Sequence, residues 1–219
     1  QNADPAATDC TFLVDLAEGK KLLPDPPIAS IGYQASIVIT PQQEADMDIK
    51  ATLNNLLIPY TSNYAGTLLP GIREYTVTPV EKTTTISGKG KAGLKQEENY
   101  YFFYLPVCYK GITGKSYAYY NTSRSKNLYL PASVDENYSY DIQLPENLTL
   151  CTPIQEKKID NPIGSFKITL TSEGSSLHIE LALQIKKQLI TPAEYPAFRS
   201  LITEWTDRTR KPILFKTVQ

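Results

Sequence analysis

The chain has 219 residues, 41% apolar and 21% charged, with a formal net charge of −1. That length supports one large domain or two small ones with a proper core, and the composition is that of an ordinary globular protein. Lys and Arg are scattered rather than gathered into a basic patch, which argues against nucleic acid as a partner, and no apolar run is long enough to span a bilayer.

The chain starts at Gln1 and shows no succession of basic, apolar and small residues of the signal-peptide kind; a trimmed or processed end is the plain reading of that start. Residues 11–16 are a short apolar run. Residues 23–27 (LPDPP) are an extended connector, because three prolines in four residues suit neither a helix nor an inner strand. Residues 36–40 (SIVIT) and 48–57 (DIKATLNNLL) read as strands joined by the polar loop 41–47; a helix over 42–57 is the rival reading on propensity. Turn residues dominate 60–71, so a soft boundary falls there, with an N-terminal extended/β region over 1–70 and a second region over 71–219.

Residues 73–80 and 83–87 are Thr- and Val-rich strands. The following GKGKAG (88–93) lacks the Lys-Ser/Thr ending of a phosphate loop and the helix that must follow it. A flexible hairpin tip is the favoured reading. Residues 100–107 (YYFFYLPV) are apolar on both faces, which predicts an inner strand covered on both sides, with Tyr100, Phe102 and Tyr104 in the core. Residues 117–120 and 128–130 are shorter strand candidates.

Alternation then becomes regular. Tyr138, Tyr140, Ile142 and Leu144 share one face; Phe166, Ile168 and Leu170 share another. After the turn at 171–176, Leu177, Ile179, Leu181, Leu183 and Ile185 alternate with polar partners. Thr191, Pro192 and Glu194 open a helix over about 192–207 through a capping box, with Phe198, Leu201, Ile202 and Trp205 as its apolar stripe. Pro196 delays the regular helix by a turn. Residues 213–215 return as a strand. The expected fold is mostly β: an antiparallel β-sandwich, immunoglobulin-like or related, with one short helix near the C-terminus.

Chemistry is sparse. Cys10, Cys108 and Cys151 are an odd count, best read as small buried hydrophobes, with a disulfide as the lesser option. A Cys–His site would have to use His178, the only histidine, and Cys151 is the thiol to test first; a half-solvated strand histidine is the favoured reading. Zinc lacks its ligand spacing, and Asp46 with Asp48, or Asp135 with Glu136 and Asn137, read as solvated turns rather than calcium loops. No cofactor or metal is expected. The 15 tyrosines are the compositional oddity; Tyr117, Tyr119 and Tyr120, beside a polar loop, are the candidate ligand-binding residues.

Three blocks carry a family resemblance: residues 138–145 (YSYDIQLP), 161–170 (NPIGSFKITL) and 190–199 (ITPAEYPAFR). With the strand–helix–strand ending, the region over roughly 71–217 resembles the C-terminal domain of unknown function that follows the transglutaminase-like domain in bacterial cell-envelope proteins. The resemblance implies that the catalytic Cys, His and Asp lie upstream, in a part this chain lacks. It also implies a periplasmic or surface-associated setting and the upstream domain as partner. The leading expectation is a non-catalytic accessory region that braces the enzyme domain or binds a partner, such as another envelope protein. The alternative is a carbohydrate- or protein-binding module that uses exposed tyrosines, and a line of exposed aromatics on one sheet would favour it.

Overall fold

The computed structural model describes residues 27–40, 44–54, 57, 65–109, 111–112, 123–153 and 155–218. Fourteen strands and two helices follow one another in those residues. An eight-stranded sheet is built from β1 (Ile28–Ile39), β2 (Glu44–Asn54), β3 (Ile72–Val80), β4 (Thr83–Gly93), β8 (Ser133–Gln143), β10 (Gln155–Asn161), β11 (Gly164–Glu173) and β12 (Ser176–Ile185). A four-stranded sheet contains β5 (Lys95–Glu97), β6 (Tyr100–Phe103), β9 (Leu148–Leu150) and β14 (Ile213–Thr217). β7 (Leu128–Tyr129) and β13 (Leu189–Ile190) form a ribbon. The helices are α1 (Ala65–Leu68) and α2 (Tyr195–Arg210).

The large sheet has the order β10-β11-β12-β8-β1-β2-β4-β3. All neighbours are antiparallel except β1 and β8, which run parallel with Ile28 opposite Ser133 and Val38 opposite Gln143. The mostly-β fold with a short C-terminal helix is as expected; the parallel seam is the departure from an antiparallel arrangement. A parallel pair cannot be closed by a hairpin, so no local turn signal announces it. Strands on both sides of residue 70 belong to this one sheet.

Period-two alternation decides which face is dry. In β12, Leu177, Ile179, Leu181, Leu183 and Ile185 are all buried while Glu180 and Gln184 are exposed. β1, β2, β8 and β11 repeat the pattern. The helix α2 packs on β11 and β12, burying Phe198, Leu201, Ile202 and Trp205, the stripe read from the sequence, together with Tyr195, Thr206 and Thr209. The apolar ones among these side chains join Phe103 and Phe215 of the small sheet in one continuous core.

Three local readings are corrected. Residues 44–47 are strand rather than loop, so β2 begins earlier and the helical rival over 42–57 is excluded. The GKGKAG segment is not a hairpin tip but the second half of β4; the tip is at Glu81, with φ 47°. The glycines serve close approach. A Cβ on Gly88 would lie 2.1 Å from the Glu74 carbonyl oxygen, and one on Gly90 equally close to that of Gly71, where β3 bulges between Ile72 and Glu74. Finally, β6 is inner in the small sheet but its two faces differ: Phe103 is buried, whereas Tyr100, and Tyr104 just past the strand, are exposed with Phe102 half-buried between them.

The helix entry follows the capping-box reading in part. Glu194 reaches back to accept from the Thr191 backbone N–H at 3.1 Å and from its hydroxyl at 3.0 Å. The Thr191 hydroxyl is thus spent on a carboxylate, not on a helix amide. Lys187 also bonds Glu194, and that bond first, then those from Thr191, holds the carboxyl down to about 2. Trp205 is 1% exposed and meets the Tyr138 ring edge-on at 5.4 Å. Trp205→Ala should therefore cost ~3–5 kcal/mol through lost burial and a cavity. Thr191→Ala should cost ~1 kcal/mol or less, since the backbone half of the motif remains. Urea melts of the two variants check the order.

Candidate functional site

Three places concentrate chemistry. The first is the outer, polar face of the large sheet. Strand register aligns Thr171, His178, Asp141 and Ser36 in one row across β11, β12, β8 and β1. Asp141 Oδ1 lies 2.7 Å from His178 Nδ1, and Glu180 Oε1 lies 3.5 Å from Nε2. The hydrogen bond to Asp141 is the first cause raising the His178 pKa above its ordinary value. With both ring nitrogens turned to carboxylates, the imidazole suits a charged, bridging role. A nucleophile's base would instead need one nitrogen facing the nucleophile.

Cys151 does not join it. It follows β9 in the other sheet, where its backbone N–H donates to Leu214 at 2.8 Å. It is exposed rather than buried as expected, because β9 lets go of the core after Leu150; Cys108 is buried, and both are free thiols. Beside the histidine row, a shallow groove of about 510 Å³ has Gly32 and Ala182 among its lining, with Lys50, Lys167 and Glu180 around them. It can offer hydrogen bonds and charge, but no aligned nucleophile.

The second place is the outer face of the small sheet. Register puts Lys95 and Leu214 either side of Phe102, and Glu97 and Lys216 either side of Tyr100. Tyr104 extends the row. The Lys95 ammonium sits 5.6 Å from the Tyr104 ring centre, and Lys216 sits 5.9 Å from that of Tyr100. Tyr100 is 37% exposed and Tyr104 45%. The core role expected for these tyrosines is thus corrected. Tyr101 and Phe103 take the inward face; on the other, Phe102 is half-buried between the two exposed tyrosines.

The third place was missed. Residues 135–137 are not a solvated turn but part of β8, so alternation sends Glu136 inward while Asn137 faces out. Glu136 is 3% exposed. Its Oε1 accepts from the Ile112 backbone N–H at 2.6 Å and its Oε2 from the Tyr138 hydroxyl at 3.2 Å. Burial pushes the carboxyl up to about 7, outweighing these bonds, which favour the charged form. The polar residue inside the run Val134, Glu136, Tyr138, Tyr140 was the available signal. Asp46 and Asp48 likewise lie in β2, not in a turn. Among the described residues, no three His, Cys, Asp or Glu side chains gather as a metal site. Tyr117, Tyr119 and Tyr120, and Cys10, lie outside the described residues.

A large mixed sheet with one docked helix and a smaller aromatic sheet defines a β-rich domain. The chain belongs to a family defined by a domain of unknown function with a solved structure, DUF3858, whose profile matches residues 99–215. It is also similar to the crystal structure of a candidate protease from Parabacteroides distasonis. Identity is 32% and the TM-score 0.50, over 55% of this chain and 24% of that one. The chain thus spans about a quarter of that protein's length. No curated protein matches it.

The histidine row gives a test. A raised pKa means that the folded state holds the proton more tightly. Its stabilising contribution is complete below about 6.5 and is lost as pH rises through the folded value. An NMR titration of His178 should show a midpoint above 6.5 in the wild type and a lower one in Asp141→Asn. An unchanged midpoint would reject Asp141 as the main cause.

Proposed function

We propose that the chain is a non-catalytic accessory part of a longer bacterial envelope protein, whose enzyme domain is transglutaminase-like or cysteine-protease-like. It braces that domain or holds a partner for it. The observation that carries this reading is the outer face of the small sheet, where the exposed rings of Tyr100 and Tyr104 flank a half-buried Phe102, with a half-buried Leu214 beside it. Apolar side chains gathered on one exposed face suit a protein contact better than solvent. Two findings support it. The similar candidate protease extends well beyond the matched quarter, and His178 lies in β12 of the large sheet whereas Cys151 follows β9 of the small one. The assignment to the envelope and to an upstream transglutaminase-like domain rests on the sequence resemblance.

Tyr100→Ser combined with Tyr104→Ser should weaken association with the enzyme domain of the parent protein by tenfold or more, ~1.4 kcal/mol, in titration calorimetry. Unchanged affinity would remove this face from the contact. Cys151→Ser and His178→Ala should leave peptide hydrolysis and transamidation at background, as in the wild type; turnover lost on either substitution would make the domain an enzyme. A second reading, a glycan-binding module, draws on the same row, since aromatic rings stack on sugar faces. Retention on a glycan array that disappears in the double tyrosine variant would favour it over the protein contact.

A further inference from the structure

Glu136 is the only carboxyl among the buried described residues. It is also wedged against backbone. A Cβ on Gly111 would lie 2.7 Å from Glu136 Oε2 and 3.1 Å from the Tyr138 hydroxyl, so the turn at Gly111 rests directly on the carboxyl. Gly111 N–H closes that turn on the Cys108 carbonyl at 3.1 Å, and Ile112 N–H completes it on Glu136. Upstream, the same segment has two other ties. Tyr109 N–H donates to Leu68 at 2.8 Å, and the Tyr140 hydroxyl donates to the Pro106 carbonyl at 2.8 Å. At Ile112, the described tie to the sheet is the glutamate.

We propose that Glu136 is a proton-operated latch: as the acid it pins the turn at Gly111 and Ile112 to the large sheet, and as the carboxylate it lets that turn go. The titratable groups packed around it are Tyr138 and Tyr140 on its own strand, Tyr33 on β1, and Cys108 in the segment itself. The helix contributes Trp205, which does not titrate, against Tyr138. None of these is a cation. Among the described residues a negative Glu136 has two hydrogen-bond donors, Ile112 N–H and the Tyr138 hydroxyl, to replace its water, and opening the turn rehydrates it.

The linkage has a definite sign. The closed carboxyl titrates at about 7 and an open, hydrated one near the ordinary 4.5. The closed state thus binds the proton more tightly and is favoured at low pH. Between those values each pH unit multiplies the open population roughly tenfold, and above the higher value the effect levels off.

Hydrogen exchange of the Ile112 amide in the whole chain tests this, with the ordinary base catalysis of exchange divided out. Protection should fall roughly tenfold per pH unit from about 5 to about 7 and then flatten. Glu136→Gln keeps an acceptor for the Ile112 amide and cannot titrate, so its protection should be flat. A flat wild-type profile overturns the latch, as does an equal slope in Glu136→Gln. Protection of Ile112 equal to that of Ile179 in β12 at every pH overturns it too, because the turn would then open only when the whole sheet unfolds. Should Glu136→Gln fail to fold, the wild-type profile and the comparison with Ile179 decide alone.

Discussion

The parallel pairing of β1 with β8 is the constraint on which the rest of the fold depends. It joins two antiparallel halves, β3-β4-β2-β1 and β8-β12-β11-β10, into one sheet. Tyr33 and Tyr138 are opposite one another in its register, and their rings stack at 5.1 Å. Tyr140 lies 5.7 Å from Tyr33. Aromatic pairs of this kind add ~0.5–1.5 kcal/mol beyond the area they bury. The seam also sets where the helix docks, because Trp205 meets Tyr138 from below the sheet.

The family match begins at residue 99, so β1 to β5 lie outside it. The seam is therefore where the matched region meets the preceding one. Without β1, β8 would be an edge strand carrying Tyr138 and Tyr140 beside unpaired backbone groups, the exposed arrangement that native sheets avoid. The N-terminal strands finish a sheet that the matched region starts. They are not a separate attachment to it.

What the sequence made legible was local. Period-two alternation in residues 138–144, 166–170 and 177–185 named the buried face residue by residue, and the stripe from Phe198 to Trp205 named the docked side of the helix. What stayed hidden depends on distant partners. Nothing near Ile28 says that Ser133 will lie beside it. Gly88 and Gly90 look like a flexible tip until the β3 bulge is seen pressing on them. Residues 100–104 are apolar in every position, so alternation could not tell which rings face out. The candidate tyrosines at 117–120 followed the rule that surface aromatics sit beside polar loops; that rule cannot see exposed rings on a paired strand. Glu136 was hidden by its neighbours, since Asp135 and Asn137 make the triplet look like a turn.

The two edges of the large sheet bear on where a partner can bind. β10 carries Glu156, Lys157, Lys158 and Asp160 along its length, all exposed. β3 has its bulge at one end and Pro79 at the other. Charges, bulges and edge prolines are the devices that stop a sheet from recruiting another strand. Growth at either edge is thus opposed by the sequence itself. The wet face of the sheet is largely polar, with His178 paired to Asp141 and Glu180, and Lys167 to Glu180. The small sheet differs from all of these. Its outer face sets aromatic rings beside lysines, in a strand already paired on both sides by β5 and β14. A strand so held presents a rigid row of side chains, and recognition through that row loses little conformational entropy. Of the surfaces on this domain, the outward face of β6 is the one that rigidity and apolar content together fit for a partner.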